Sequence, residues 1–537
     1  MNERTARWNI LFLQYLKRDW KKIIFWIAGL GLFSGAFVPA FKEIAKGSGL
    51  IGMFETMRNP AMIAMVGPTS ITHAADYTIG AMYAQEMLLF CGLFAAIISS
   101  LHVIGHTRKE EDLGLTELVR SFSVGRQANS IAVMLETLLI NILLGLVIGG
   151  IMTSFQVDTI TAEGAFLFGL SIAGAGILGA VIALFCAQIM PSSSGATGAA
   201  LSLLGLLYIL RASTDTTNVD LSTFNPMSWT YLTYPFTENH WFLLIFQLIF
   251  GLVIVLLSFW LEGKRDMGDG YLPQREGRAH AKRFLLSVPG LLFKLNKGTI
   301  FGWLVGFIVM GAAYGSIYGD MQSFLKGNDL IKQMFSHSHV SLEESFTSTI
   351  IIVMISLSAI LPIAIVNKLY SEEVHRRFSQ LFSTKVTRAK IYWTGMILAT
   401  LAGTTAILFS SASLGGAAIS SMGGSSKMAF PDFFAAGFNF FPAVLFFIGL
   451  AGFFLGWLPK FGKIGYIYLG YSFMLNYFGG ILNLPNWFAK TAIQTWFPRL
   501  PVDQFDLATF LTITAISVAL LILGYFGYKR RDLSEGA

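Results

Sequence analysis

Few side chains in this 537-residue sequence could do chemistry, and most of them are gathered in two short charged segments. Glu110-Glu111, Ser121, Val124 and Arg126 make up the first; Glu372-Glu373, Ser383, Val386 and Arg388 make up the second, each 262 positions after its counterpart. Between the doublet and the arginine of the first copy, Leu115, Leu118, Val119 and Phe122 fall at helical spacing and form an apolar stripe beside Glu117. A solvated turn has no use for such a stripe. A segment that docks on another protein does, with its charges setting register and partner choice. A helix lying on the bilayer is the competing use, but carboxylates suit an anionic leaflet poorly.

The other reactive candidates are imidazoles. His102 and His106 stand four apart on one helical face, a spacing that can hold a metal; a pair at the membrane boundary bonded to neighbouring backbone is the simpler expectation. His337 and His339, in an expected outer loop, are two ligands of an incomplete site. No metal site, catalytic residue or cofactor is therefore expected on the chain. A nucleotide-binding loop needs Gly-x4-Gly-Lys-Ser/Thr to wrap amides round phosphates, and no such string occurs; Gly423 to Lys427 lacks the spacing.

The elements that must carry these residues are membrane helices. Apolar residues make up 54% of the chain and charged residues 13%, against about 25% charged for a soluble protein. Crossing a hydrocarbon core of about 30 Å takes roughly 20 helical residues. Twelve windows of suitable composition recur: 23–41, 87–106, 137–155, 165–189, 195–210, 241–261, 299–317, 349–366, 391–411, 433–458, 464–482 and 508–528. Their runs are continuous rather than alternating, which excludes barrel strands. The expected fold class is all-α: a polytopic membrane protein of twelve transmembrane helices, arranged as two parallel six-helix repeats.

Further matches mark the repeat. Phe25 and Gly35 in the first window correspond to Phe301 and Gly311 in the seventh, and Lys264-Arg265-Asp266-Met267 to Arg530-Arg531-Asp532-Leu533. Residues 1–262 and 284–537 are the expected halves, joined by a cytoplasmic linker at 263–283. An even number of spans per half makes the copies parallel. Of the 38 Lys and Arg residues, 29 fall in segments on the side of the termini, which places both termini in the cytoplasm. The net charge of +7 belongs to this asymmetry and calls for no nucleic-acid partner. Each half is also expected to open with an amphipathic stretch lying in the headgroup plane before the first crossing: Trp8 to Lys22, and Lys282 to Lys297 with a break at Pro289-Gly290.

In the acidic doublet followed by a helix ending in Val-x-Arg, the Arg-Asp motif closing each half, and the outer segments Phe224-Asn225-Pro226-Met227-Ser228-Trp229 and Trp496-Phe497-Pro498-Arg499-Leu500-Pro501, the chain resembles the double-length membrane subunits of type-2 ABC exporters described as exporters of polyketide antibiotics. The resemblance implies that two ATPase subunits, one gene used twice or two different proteins, supply ATP and Mg on partner chains. It makes Glu110, Glu111, Glu117 and Arg126, with Glu372, Glu373 and Arg388, the contacts to those subunits. It implies short re-entrant helices before spans six and twelve, and a bacterial plasma membrane as the location. It also implies two halves facing each other across a path for a hydrophobic or amphipathic compound such as an antibiotic. Phe90, Phe94, Tyr208, Met354, Asn476 and Tyr477, on the second and fifth spans of each half, are the candidate lining. The second copy departs from the first at His375, Arg376, Arg377 and Ser379, which puts equal docking in doubt.

Two other readings stay open: an ion-coupled multidrug carrier, and an ABC exporter of lipids or peptides. Ion coupling uses ionisable groups at membrane depth. The twelve windows contain no Asp, Glu, Lys or Arg; Glu136 stands one residue before the third and is expected at its boundary.

Overall fold

The computed structural model describes residues 3–46, 49–58, 60–273, 279–320, 342–423, 428–482 and 485–533. His337, His339, Gly424 to Lys427 and the Tyr477 side chain lie outside the described residues. Among those described, none is in a strand. Among the described residues, eleven helical stretches are long and apolar enough to cross a membrane. The helix Ile464–Leu482 occupies the place of the remaining expected span; Asn476 and several tyrosines and glycines make it more polar.

Spans 1 to 6 are Trp8–Gly35, Ile79–His106, Ala128–Ser154, Ala162–Ile189, Ser193–Thr217 and Phe242–Lys264. Spans 7 to 12 begin with Val288–Ser316, then Leu342–Ser358 continued by Ile360–Val374, and Arg388–Ser421. Phe430–Phe438 continued by Phe441–Trp457, then Ile464–Leu482 and Leu507–Arg530, complete the set. Described residues up to 273 form one compact unit and those from 279 onward another.

Three expectations change. Trp8–Gly35 is one uninterrupted helix, so no turn separates a headgroup-plane segment from the first crossing. The basic residues from Lys17 to Lys22 extend the span instead, and no proline interrupts it before Pro39. In the second half Pro289 sits in the first turn of Val288–Ser316, where its missing N–H costs nothing, so it starts the helix rather than breaking it. Span 3 begins at Ala128, nine residues before its window, and carries Glu136 inside. Span 2 likewise takes in Glu86, and span 5 takes in Arg211 and Asp215. The windows missed these because a charged residue ends an apolar run without ending the helix.

Packing repeats between the halves. Span 1 lies along span 3 and span 7 along span 9, while span 4 packs on span 6 and span 10 on span 12. The matched glycines explain the first pair of contacts. A Cβ on Gly35 would come within 3.1 Å of Ile151, and one on Gly311 within 1.9 Å of the Ser413 hydroxyl, so both positions let backbones approach closely. Span 4 is the central helix of its unit and is buried along most of its length. Outward faces of spans 1, 6, 7 and 12 expose large apolar side chains such as Phe25, Leu252, Val309 and Leu511, as lipid contact requires.

Candidate functional site: two clasped loops and a buried histidine cluster

The loop between spans 2 and 3 contains two short helices, Arg108–Asp112 and Leu115–Arg120, separated by Gly114 at a φ of 73°. In the second half, span 8 runs on to Val374, and Arg376 at a φ of 60° precedes the helix Arg377–Phe382. Gly114 and Arg376 are 262 positions apart, as are the two helices they introduce, so the backbone turn itself is duplicated.

Each loop is held by the same three motifs. Glu111 accepts two parallel bonds from the Arg265 guanidinium, at 2.8 and 2.7 Å, and a third from the Gly268 amide at 2.7 Å. Glu373 accepts two from Arg531, at 2.5 and 2.7 Å. Bidentate, largely buried pairs of this kind are the strong form of the ion pair. Arg126 then donates to the carbonyl of Arg265, and Arg388 to the carbonyl of Arg531. Nε of Arg265 reaches the Gln188 side chain at the end of span 4, at 2.8 Å, and Nε of Arg531 reaches the Leu455 carbonyl near the end of span 10, at 3.0 Å. The doublet, the Val-x-Arg arginine and the Arg-Asp motif are thus one clasp, formed once in each half.

The geometry separates the sequence-derived docking residues into two groups. Glu111, Glu373, Arg126 and Arg388 are engaged within the chain, and their position builds the loop from inside. Glu372 faces Arg377 at 2.8 Å, and Glu110 faces Arg18 at 2.9 Å. Glu117 is exposed, beside an apolar ridge of Leu113, Leu115, Leu118 and Phe122, of which Leu118 and Phe122 are 64% and 66% exposed. Val119 turns further in, so the ridge differs from the expected stripe by one residue.

Sequence reasoning missed Arg108. Its side chain is fully buried and donates to the carbonyls of Pro191, Gly268 and Asp269, at 2.7, 2.7 and 2.8 Å. The stretch after span 6, the first part of the linker expected at 263–283, is tied to the first unit at least as far as Leu272, whose amide donates to the Ile189 carbonyl. Burial lowers the Arg120 pKa, opposed by Glu262 and Glu111; its guanidinium holds the Arg126 carbonyl at 2.8 Å.

Behind the first clasp lies a second polar group. His102 Nε2 is 3.2 Å from Glu136, and His106 Nε2 is 2.7 Å from Asp19, which Lys22 also meets at 2.6 Å. His106 Nδ1 approaches the His102 carbonyl at 3.0 Å, the backbone contact expected for such a pair. Glu136 is fully buried, and its second carboxylate oxygen has no hydrogen-bond partner. The two imidazoles line an apolar groove of about 1060 Å³ between spans 1 and 2, with Trp26, Phe33 and Phe94 along its length.

Among the described candidate lining residues of the first unit, Phe94 enters that groove. Phe90 packs at the edge of the core, and Met354 is fully buried. Tyr208 donates to the Met65 carbonyl at 2.9 Å beneath Arg211. Asn476 is buried and donates to the Gln494 carbonyl at 3.1 Å. The outer segments before spans 6 and 12 fold into short 3-10 turns, Ser228–Thr230 and Ile493–Trp496, with Ser228, Thr230 and Gln494 buried.

Comparison with known proteins agrees with this architecture. Residues 285–529 match the family described as "Multidrug efflux system permease Rv1217c, C-terminal domain". Over 527 residues the chain is 25% identical to the multidrug efflux system permease protein Rv1217c of Mycobacterium tuberculosis, covering 97% of this chain and 94% of the relative. Residues 285–529 thus resemble that C-terminal-domain family, and the whole chain is a multi-pass membrane protein similar over nearly its entire length to a multidrug efflux permease.

Proposed function

We propose that the chain is the permease subunit of an exporter that expels hydrophobic or amphipathic compounds, driven by separate ATPase subunits that grip the two clasped loops. It sits in this reading in a bacterial plasma membrane with both termini in the cytoplasm. The observation that carries the reading is the ridge of Leu113, Leu115, Leu118 and Phe122. It is an exposed apolar patch on and beside the short helix Leu115–Arg120, in a loop fixed by Glu111, Arg265 and Arg126 to the ends of spans 4 and 6. A partner that covers the ridge can move those spans through the clasp; a lipid surface would meet the acidic Glu110, Asp112 and Glu117 there. The relative's description as an efflux permease supports the transport role. The test is co-expression with an ATPase encoded beside this gene. Leu118→Asp with Phe122→Asp should abolish ATPase co-purification and efflux while the chain still inserts; unchanged co-purification and efflux would count against the reading.

A specific observation favours a second reading. Glu136 and Glu86 are carboxylates inside spans, and Glu136 faces an imidazole, which is where an ion-coupled carrier would place its working groups. Both stand in the first half only; their places in the second are held by Leu398 and Ser348. Collapsing the proton gradient with ATP maintained separates the two: efflux persists in an ATP-driven exporter and stops in a carrier.

A further inference from the structure

We propose that His102, His106 and Glu136 form a binding site for a single divalent transition-metal ion of the zinc class, with Asp19 as the outer carboxylate that orients His106. One ligand atom from each of the three lies within 4.8 Å of the others. Around zinc, Zn–N and Zn–O bonds of about 2.0–2.1 Å put neighbouring ligand atoms about 3.3 Å apart. His102 Nε2 and Glu136 already stand at 3.2 Å, and His106 is the ligand that must close in, by at most about 1.5 Å. With Asp19 on its Nε2, His106 would bind through Nδ1, giving up the 3.0 Å contact with the His102 carbonyl. The imidazole rings are 4.2 Å apart with their planes tilted by 33°, converging from two successive turns of one helix.

The donor set suits that class of ion. Two imidazoles and one carboxylate are borderline ligands, matched to zinc and its neighbours rather than to calcium or magnesium, which demand oxygen. Asp19, 2.7 Å from one nitrogen of His106, occupies the place of the carboxylate that fixes the ring of a metal-ligating histidine.

The charges point the same way. Asp19 is already matched by Lys22 at 2.6 Å and Arg18 at 3.1 Å. Glu136 has no such neighbour: it is fully buried, its one partner is His102, and its other oxygen is unsatisfied. A buried carboxylate left in that state is costly, and a divalent cation supplies both the missing charge and the missing bond. Both histidines line the groove between spans 1 and 2, which gives the ion an entry route and room for water or another ligand. The second half lacks the arrangement, because Leu398 stands at the position of Glu136. One ion per chain follows. The proposal does not depend on what the chain transports.

The test uses the full-length chain purified in detergent, stripped with a chelator and titrated with Co2+, whose visible ligand-field bands report coordination by imidazole and carboxylate. The wild type should take up one Co2+ per chain, with bands that Zn2+ abolishes. Glu136→Gln, which keeps the shape and polarity of the side chain, should weaken binding by at least about tenfold. His102→Ala should remove the bands. His240→Ala, which removes the surface histidine beside Glu238, should leave them unchanged. If His102→Ala does not fold, Glu136→Gln carries the test alone. Absence of Co2+ bands in folded wild type, or equal binding by wild type and Glu136→Gln, would overturn the proposal and leave the cluster as a proton-bridged pair.

Discussion

The two clasped loops share their interior and differ in their surface. Inside, the bidentate pairs Glu111–Arg265 and Glu373–Arg531, the carbonyl contacts of Arg126 and Arg388, and the left-handed residues Gly114 and Arg376 are equivalent contact for contact. Outside, Leu113, Leu115, Leu118 and Phe122 of the first loop are replaced by His375, Arg377, Gln380 and Thr384 in the second. Even the buried anchor has changed, from Thr116 to Phe378. Duplication has therefore kept the part that ties each loop to its spans and changed the part that is exposed. One face is apolar and acidic, the other basic and polar, so the two loops should bind unequal surfaces or bind one surface with unequal strength.

The largest expected effect comes from breaking what the loops share. Arg265→Ala or Arg531→Ala leaves a largely buried glutamate without its main cation, and removing one partner of such a pair costs about 3–5 kcal/mol. Thermal unfolding in detergent should show a clear loss for both variants. Substitutions on the faces should separate the loops instead. Leu118→Asp with Phe122→Asp should cut ATPase co-purification much more than Gln380→Asp with Thr384→Asp, measured on the same membranes; equal losses would erase the distinction drawn between the surfaces.

Helix packing offers a finer contrast. A methyl group on Gly311 meets the Ser413 hydroxyl and the backbone of Leu414, whereas on Gly35 it meets Ile151 at 3.1 Å. Gly311→Ala should therefore destabilise its unit by roughly 1–3 kcal/mol, and Gly35→Ala by less, in paired unfolding measurements. The smallest effect is in the turn. Gly114→Ala should cost about 1 kcal/mol, because a φ of 73° suits glycine, while Arg376→Gly should gain up to about that much. Opposite signs in the two variants would confirm that the turn is the same.

The twelve crossings were legible because apolar length is a local property, and eleven stand as helices of spanning length and composition. Their ends were not. Glu136 stopped the third window, yet the helix carries it inside against His102, a placement decided by a neighbouring span. The continuity of Trp8–Gly35 had a readable signal, the lack of any proline before Pro39, which the amphipathic charge pattern obscured. The clasp is the most instructive case. Both of its charged motifs were visible as repeats of opposite sign, but Glu111 and Arg265 are 154 residues apart, and nothing in a linear pattern brings them together. Glu111 and Glu373 were expected at a partner contact from the family resemblance; in the fold they face inward, onto Arg265 and Arg531.

A double-mutant cycle on Glu373→Gln and Arg531→Met tests the clasp most directly, with unfolding of the purified full-length chain as the readout. The account predicts that each single variant is destabilised and that the pair is coupled by about 2 kcal/mol or more. Additive losses, with no coupling between Glu373 and Arg531, would contradict it.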